Sequence, residues 1–308
     1  MSSRGWILFL AMSVIWGIPY LLIKVAVEGV SVPVLVFARV AVGAAVLLPL
    51  ALSRRTVEIV RGHWKALAGF AFFEIIAAWW LLSDAERHLT SSMTGLLIAA
   101  APIIAAVLDR LTGGERLGTK RILGLAVGIA GVTVLAGPHL GGSTWPIVEV
   151  LLVATCYAIA PLIAARYLAD VPALPMTAVC LGFAAVVYAG PAAATWPSEM
   201  PSTRVLLALA GLALICTALA FLVFFALIRE VGAARALVFT YINPAVALAA
   251  GVIVLNEPLT LWNVAALVLI LVGCVLATHR RAAAPARAGS EPTHVGPASP
   301  CAPRRRTP

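Results

Sequence analysis

Ten stretches of the chain, near residues 6–26, 32–52, 64–82, 89–108, 122–137, 145–165, 173–195, 205–228, 233–255 and 260–278, are almost continuously apolar. A helix needs roughly 17–25 residues to cross the hydrocarbon of a bilayer. Most of these stretches have that length, and 122–137 is the short one. A soluble domain is about 25% charged, whereas this chain is 11% charged and 62% hydrophobic. No single core can hide that excess, so lipid is the expected solvent. The stretches lack the two-residue alternation of a membrane barrel, and a backbone in lipid must pair its own polar groups. The expectation is an all-α integral membrane protein with ten transmembrane helices.

The first stretch is long for a secretory leader, and the "IKVAVEGV" after it offers no small-residue cleavage site. It reads as a retained helix. Beyond Thr278 the chain turns to Pro, Ala, Ser and Arg, a composition that cannot bury a core. Residues 281–308 are therefore expected to form a disordered cytoplasmic tail.

A repeat organises the rest. "PIIAAVLDRLTGGERL" runs from Pro102 to Glu115 and beyond, and "PAVALAAGVIVLNEPL" from Pro244 to Glu257 in the same spacing, 142 residues later. The same offset carries Pro19, Pro33 and Pro49 onto Pro161, Pro175 and Pro191, Gly131 onto Gly273, and Lys24/Glu28 onto Arg166/Asp170. A fixed-period match of this kind marks duplication. The units are 1–142 and 143–280, each with five helices. Five is odd, so the second unit must enter the membrane from the opposite side.

Short cytoplasmic loops collect Lys and Arg. With the N-terminus inside, 18 of the 22 basic residues fall on the cytoplasmic face or in the tail, only Lys24, Arg87 and Arg204 fall outside, and Arg39 lies within a span. The expected topology is two inverted five-helix repeats, multi-pass in the cell membrane, with both termini cytoplasmic. The net charge of +9 then faces anionic lipid and does not indicate a nucleic-acid partner. Trp6 and Trp64 are expected at the inner interface, and Trp79, Trp80, Trp145, Trp196 and Trp262 at the outer one.

The Trp-Gly pair of "VIWGIPYLLIK", an arginine in the second span, and a Pro-to-Glu phrase closing the fourth and ninth spans resemble the EamA-type members of the drug/metabolite transporter superfamily. At "CYAIAP" the chain departs from that pattern, with Tyr157-Ala158 near a common Trp-Ala. The resemblance implies a ten-helix secondary transporter with a central cavity, moving a small metabolite or drug-like molecule, an exporter or an importer.

Physics leads to the same kind of site. Inverted repeats place substrate near mid-membrane, where helices are interrupted. Pro19 (with Gly17), Pro161, Pro102 and Pro244 each remove an amide donor inside a span and are hinge candidates. Arg39 sits ~10 Å and Glu74 ~13 Å from the outer end of their spans, at 1.5 Å per residue. An intramembrane charge persists where it is paired, hydrated or functional. Arg39 and Glu74, at matching depth, are candidates for a shared substrate or proton pathway. Trp16, Tyr20, Tyr157, Tyr241 and Asn243 complete the list. Glu115 and Glu257 are read as helix caps, at the positive end of a helix dipole, and Glu149 as a solvated rim residue.

Cys156, Cys180, Cys216, Cys274 and Cys301 form no CxxC or Cys/His cluster, so neither metal nor disulfides are expected, and no cofactor is implied. The partners expected are a small-molecule substrate, membrane lipid and protons, with the chain a monomer or a homodimer. An intramembrane enzyme would need paired aspartates, a Ser/His couple or HExxH at depth, and the five histidines lie in loops or tail. A channel would need a polar filter.

Overall fold

A computed structural model of the chain describes residues 1–51, 53–112, 118–137 and 143–278. The expected tail, Cys301 and the cap candidate Glu115 lie outside them. Among the described residues the secondary structure is helical. Eight helices are long and apolar enough to cross a membrane: Ser3–Ala26, Val32–Ala51, Thr56–Ala85, Ser91–Leu111, Thr119–Ala136, Trp145–Tyr167, Ala173–Ala194 and Thr203–Val231. Two shorter apolar helices follow, Asn243–Leu255 and Leu261–Ala277. The first of these is extended toward its start by α13 (Ala233–Ala236) and a 3₁₀ turn, Leu237–Tyr241. These ten rods, numbered here in chain order, make the bundle.

Local chemistry starts several of them. The side chains of Ser2, Ser53, Thr90 and Ser202 accept from the amides of Gly5, Thr56, Met93 and Val205, which satisfies an orphan donor in each first turn. Outward-facing apolar residues such as Val186 and Ile253, 75% and 76% exposed, are what a lipid solvent selects. Trp6, Trp64, Trp145, Trp196 and Trp262 are also exposed. Trp79 is not: it is buried, and its partner is described below.

The fifth rod lies along the tenth, the second along the seventh, the fourth along the ninth, the third along the sixth and the first along the eighth. The second also meets the eighth and the third meets the seventh. Exchanging each rod for the one five places away carries these pairs onto one another, but not every contact: the fourth rod also packs along the tenth, and the first along the fourth, more closely than their counterparts, the ninth with the fifth and the sixth with the ninth. Between the fifth and tenth rods the approach is backbone to backbone. A Cβ on Gly273 would stand 2.5 Å from the Gly128 amide nitrogen, the small-residue contact that helices use when apolar burial gives no drive.

Polar contacts mark the two ends. At one, Ser2 donates to Glu230 at 2.5 Å and His63 stands 3.7 Å from Asp170. At the other, Ser31 and Thr195 hydroxyls pair at 2.8 Å and Arg204 approaches Glu28 at 3.9 Å. The first rod starts at the first end. Trp145, which opens the sixth rod, lies beside Glu149, and Glu149 faces Asp84, where the third rod finishes. Glu149 is 3% exposed, so the solvated rim expected of it is replaced by burial against the third rod.

Candidate functional site

Three rods are interrupted, and each break falls just before a proline. The first rod is α1 (Ser3–Ile15), a turn at Trp16–Gly17–Ile18, and α2 (Pro19–Ala26). The fourth is α6 (Ser91–Ile98), a turn at Ala99–Ala100, and α7 (Ala101–Leu111) carrying Pro102. In the ninth the 3₁₀ turn meets α14 (Asn243–Leu255), with Pro244 in its first turn. At Pro161 the chain is not interrupted: α9 (Trp145–Tyr167) runs through it as one helix.

In the first rod, the Gly17 amide turns to the Val14 carbonyl at 2.9 Å. That frees the Ser13 carbonyl, the usual i−4 acceptor. The Asn243 side-chain nitrogen, oriented to suit its neighbours, donates to the Ser13 and Phe239 carbonyls at 3.2 Å each. Two interrupted rods thus satisfy one another, and Asn243 is the tie. Trp16 sits in the same region against Phe221, Phe224 and Phe239, with ring centroids 5.1–5.7 Å away. It belongs to an aromatic seal. Tyr241 packs against a different apolar cluster, that of Leu96, Ile147 and Ile270.

The charged pathway candidates lie elsewhere, between the second, third, sixth and eighth rods. Both the third and the eighth rod loosen into a π-helical segment, Phe72–Ala77 and Gly211–Leu219, a form that recurs at functional sites. Glu74 is in the first segment and Thr217 in the second. Arg39, on α3 (Val32–Ala51), is 6% exposed. Its Nε donates to Thr217 Oγ1 at 2.9 Å, and its guanidinium lies 3.6 Å from the centroid of the Trp79 ring. Gly43, one turn along the same helix face, makes room for this, because a Cβ there would stand 2.8 Å from Thr217 Cγ2.

Magnitudes show that this suffices. A central arginine costs about 2.5–3.5 kcal/mol. A desolvated cation–π contact contributes about 2 kcal/mol, and a hydrogen bond to a charged group about 1.5–3 kcal/mol. Arg39 is therefore held without a carboxylate partner. Tyr20, Tyr157, Cys216 and Glu86 are the polar groups around it. Glu74 is half-buried, and the groups that feel its charge are Cys156, Tyr157 and Cys180. No ion pair joins Arg39 to Glu74; Tyr157 is the neighbour they share. The structure thus brings Arg39, Tyr20, Tyr157 and Glu74 into one region and leaves Trp16, Tyr241 and Asn243 outside it.

Four further positions join the candidate site that the sequence does not mark for it: Trp79, Thr217, Lys24 and Glu86. Trp79 is masked by the adjacent Trp80, which does face outward. Glu86 sits in "SDAERHL", which reads as a solvated turn. It is one residue beyond the third membrane-length helix and 0% exposed. Burial holds its carboxyl well above the usual carboxylate range; Lys24 opposes this and Glu257 adds to it. Glu257 accepts from the Ser91 amide at 2.7 Å, the Ser92 amide at 3.0 Å and the Ser92 hydroxyl. It does cap a helix, but the helix is the fourth rod and not the tenth, which it precedes. Asn256, in the left-handed region at φ 54, turns the chain so that Glu257 points back, a conformation Asn tolerates well. A separate apolar crevice of about 380 Å³, lined by Ile103, Gly128, Val148 and Leu152, holds no charged group.

The model of the EamA-like transporter family matches this chain twice, at residues 3–137 and 144–278. The chain belongs to the EamA-like transporter family. Among its relatives, the uncharacterized transporter YvbV of Bacillus subtilis is 25% identical over 289 residues, 91% of this chain and 94% of that protein. The uncharacterized inner membrane transporter YedA of Escherichia coli K12 is 27% identical over 290 residues, 90% of this chain and 91% of YedA. An uncharacterized transporter of Archaeoglobus fulgidus is 24% identical over 285 residues, 90% of this chain and all of that protein. A crystal structure that is 20% identical shares the fold, with a TM-score of 0.64 over 90% of this chain and 98% of the other. As an EamA-like protein with eight membrane-length helices, the chain is a multi-pass membrane protein.

Proposed function

We propose that this EamA-like protein is a secondary transporter of ten transmembrane helices in two inverted five-helix units, 1–142 and 143–280. Both termini are cytoplasmic, and it carries a small organic molecule across the cell membrane by rocking one unit against the other. The observation that carries the reading is Arg39, a buried charge clasped between a residue of each unit, Trp79 of the first and Thr217 of the second. A site held jointly by two units is one that their relative motion can open to either side.

Support comes from several directions. The same family model fits both units, and the main helix pairings map onto one another when the units are exchanged. The two π segments fall at equivalent places, since Phe72–Ala77 displaced by 142 lies inside Gly211–Leu219. The first rod starts at one end of the bundle and the sixth at the other. The relatives in Bacillus, Escherichia and Archaeoglobus are all named transporters, one of them of the inner membrane.

In this reading Tyr20, Arg39, Trp79, Tyr157 and Thr217 meet the substrate, and the tie at Asn243 and the breaks at Pro102 and Pro244 allow the rocking. Purified protein in proteoliposomes, screened with pools of small metabolites with and without a pH gradient, should show saturable flux that Arg39→Ala abolishes. Reporter tags after residues 142 and 281 should lie outside and inside respectively. Tags on one side would overturn the inverted arrangement, and flux insensitive to Arg39→Ala would overturn the site.

A further inference from the structure

Glu86 does not behave like a turn residue. Both of its carboxylate oxygens lack a hydrogen-bond partner, and the residue is 0% exposed. The groups that face Glu86 are Tyr20 and Lys24 of the first rod, Arg39 of the second, and Glu257 from the turn after the ninth. Lys24 is the near charge, yet its ammonium donates to the main-chain carbonyls of Glu86 and Leu89, at 2.7 and 2.8 Å. Buried polar groups are nearly always paired, and an ionised carboxylate buried without donors is far costlier than a neutral acid.

The other unit shows that the fold does not demand this carboxylate. The residue 142 positions on is Ile228, and it packs with the apolar cluster of Phe9, Met12 and Phe239. There the chain is still helical, within Ala220–Val231, and the position carries a hydrocarbon side chain. An acid kept at this position, buried and unpaired, is there for what it binds.

We propose that Glu86 is a proton-binding site at the outer mouth of the bundle. It is a neutral acid while the first, third and fourth rods close over it, and a carboxylate facing Lys24 and Arg39 once water enters. Sodium is the rival occupant. Lys24 and Arg39 already bring two positive charges to this space, and a sodium ion would add a third while requiring a shell of oxygens. A proton requires one oxygen. The coupling role of Glu86 rests on the transport reading; its protonation does not.

The test uses the full chain in lipid nanodiscs and infrared difference spectra as pH is stepped from about 5 to about 8. The expected result is a carboxylic-acid carbonyl band that disappears as pH rises, is missing in Glu86→Gln and persists in Glu74→Gln. A band that remains in Glu86→Gln would overturn the proposal. So would a band indifferent to pH that shifts on adding sodium chloride. Glu86→Ile, which copies Ile228, should melt no lower than the parent chain; a lower melting temperature would make Glu86 structural instead. A titrating band without flux of any substrate would leave the proton site standing and remove the transport reading.

Discussion

The first and sixth rods occupy equivalent places in the two units and carry equivalent prolines, yet only the first is broken. Pro19 opens a new helix after a turn, whereas Pro161 lies within an unbroken one. The difference lies in the surroundings. Gly17 lets the first rod close on the ninth, for a Cβ there would stand 2.5 Å from Val246; its counterpart is Ile159. Asn243 receives the Ser13 carbonyl that the break frees; its counterpart is Ala101, which has no side-chain donor. A proline weakens a helix in lipid, but the break persists only where neighbours satisfy the released backbone groups. One unit therefore carries a broken first rod and the other a continuous one.

The largest effect expected of this comparison follows from moving the residue of the continuous rod into the broken one. Gly17→Ile should overlap Val246 and give protein that does not elute as a single species in size-exclusion chromatography, since overpacking of a tight contact is poorly absorbed. The reverse change, Ile159→Gly, should cost only about 1 kcal/mol, the ordinary penalty of a helical glycine. If Gly17→Ile folds and transports normally, the close approach does not set the break.

Asn243→Ala comes next. It strands the Ser13 and Phe239 carbonyls and should lower stability by about 1–3 kcal/mol, read as a melting shift in detergent, with slower flux. Pro102→Ala and Pro244→Ala should leave insertion intact and slow turnover several-fold, because they allow the broken rods to re-form. Pro161→Ala should change flux little. Equal effects at all three prolines would erase the distinction between the units.

Much of this architecture was legible in the sequence. The spans followed from runs of apolar residues, and the family from the Trp-Gly pair of the first span, the arginine of the second and the Pro-to-Glu phrase of the fourth and ninth. The fate of Pro161 was not legible, because it depends on what stands where the first unit has Gly17 and Asn243, and one of those counterparts, Ala101, lies on another rod. Arg39 and Glu74 stood out as charges among apolar residues, but a period read along the chain cannot tell which groups an arginine meets across the bundle. Glu86 was hidden for a different reason: a charge just past a helix end looks solvated. Only alignment of the units exposes it, through Ile228.

A pH measurement sharpens the contrast between Glu86 and Ile228. A carboxyl whose folded-state affinity for protons is raised contributes stability that is present below its unfolded pKa, about 4.3, and is lost as pH rises through the raised folded value. The melting temperature of the parent chain should therefore fall between about pH 5 and neutrality by more than that of Glu86→Gln. Parallel pH profiles would remove Glu86 as the source of the dependence.

The smallest expected effect concerns how Arg39 is held. A buried ion pair with Glu74 would make Arg39→Ala and Glu74→Ala strongly non-additive. The structure instead anchors the guanidinium on Trp79 and Thr217, with Tyr157 between it and Glu74. Residues in direct contact couple by about 0.5–3 kcal/mol, and a pair that meets only through a third side chain couples more weakly than one that touches. The cycle of Arg39→Ala with Glu74→Ala should accordingly show the smaller coupling. The cycle of Arg39→Ala with Thr217→Val should show the larger, because once the guanidinium is gone the Thr217 hydroxyl retains only its bond to the Leu212 carbonyl at 2.8 Å. Thermal unfolding of the four single and double variants measures both cycles. A large coupling to Glu74 and none to Thr217 would mean that the arginine answers to the third rod alone. The clasp between the two units, on which the transport reading stands, would then fail.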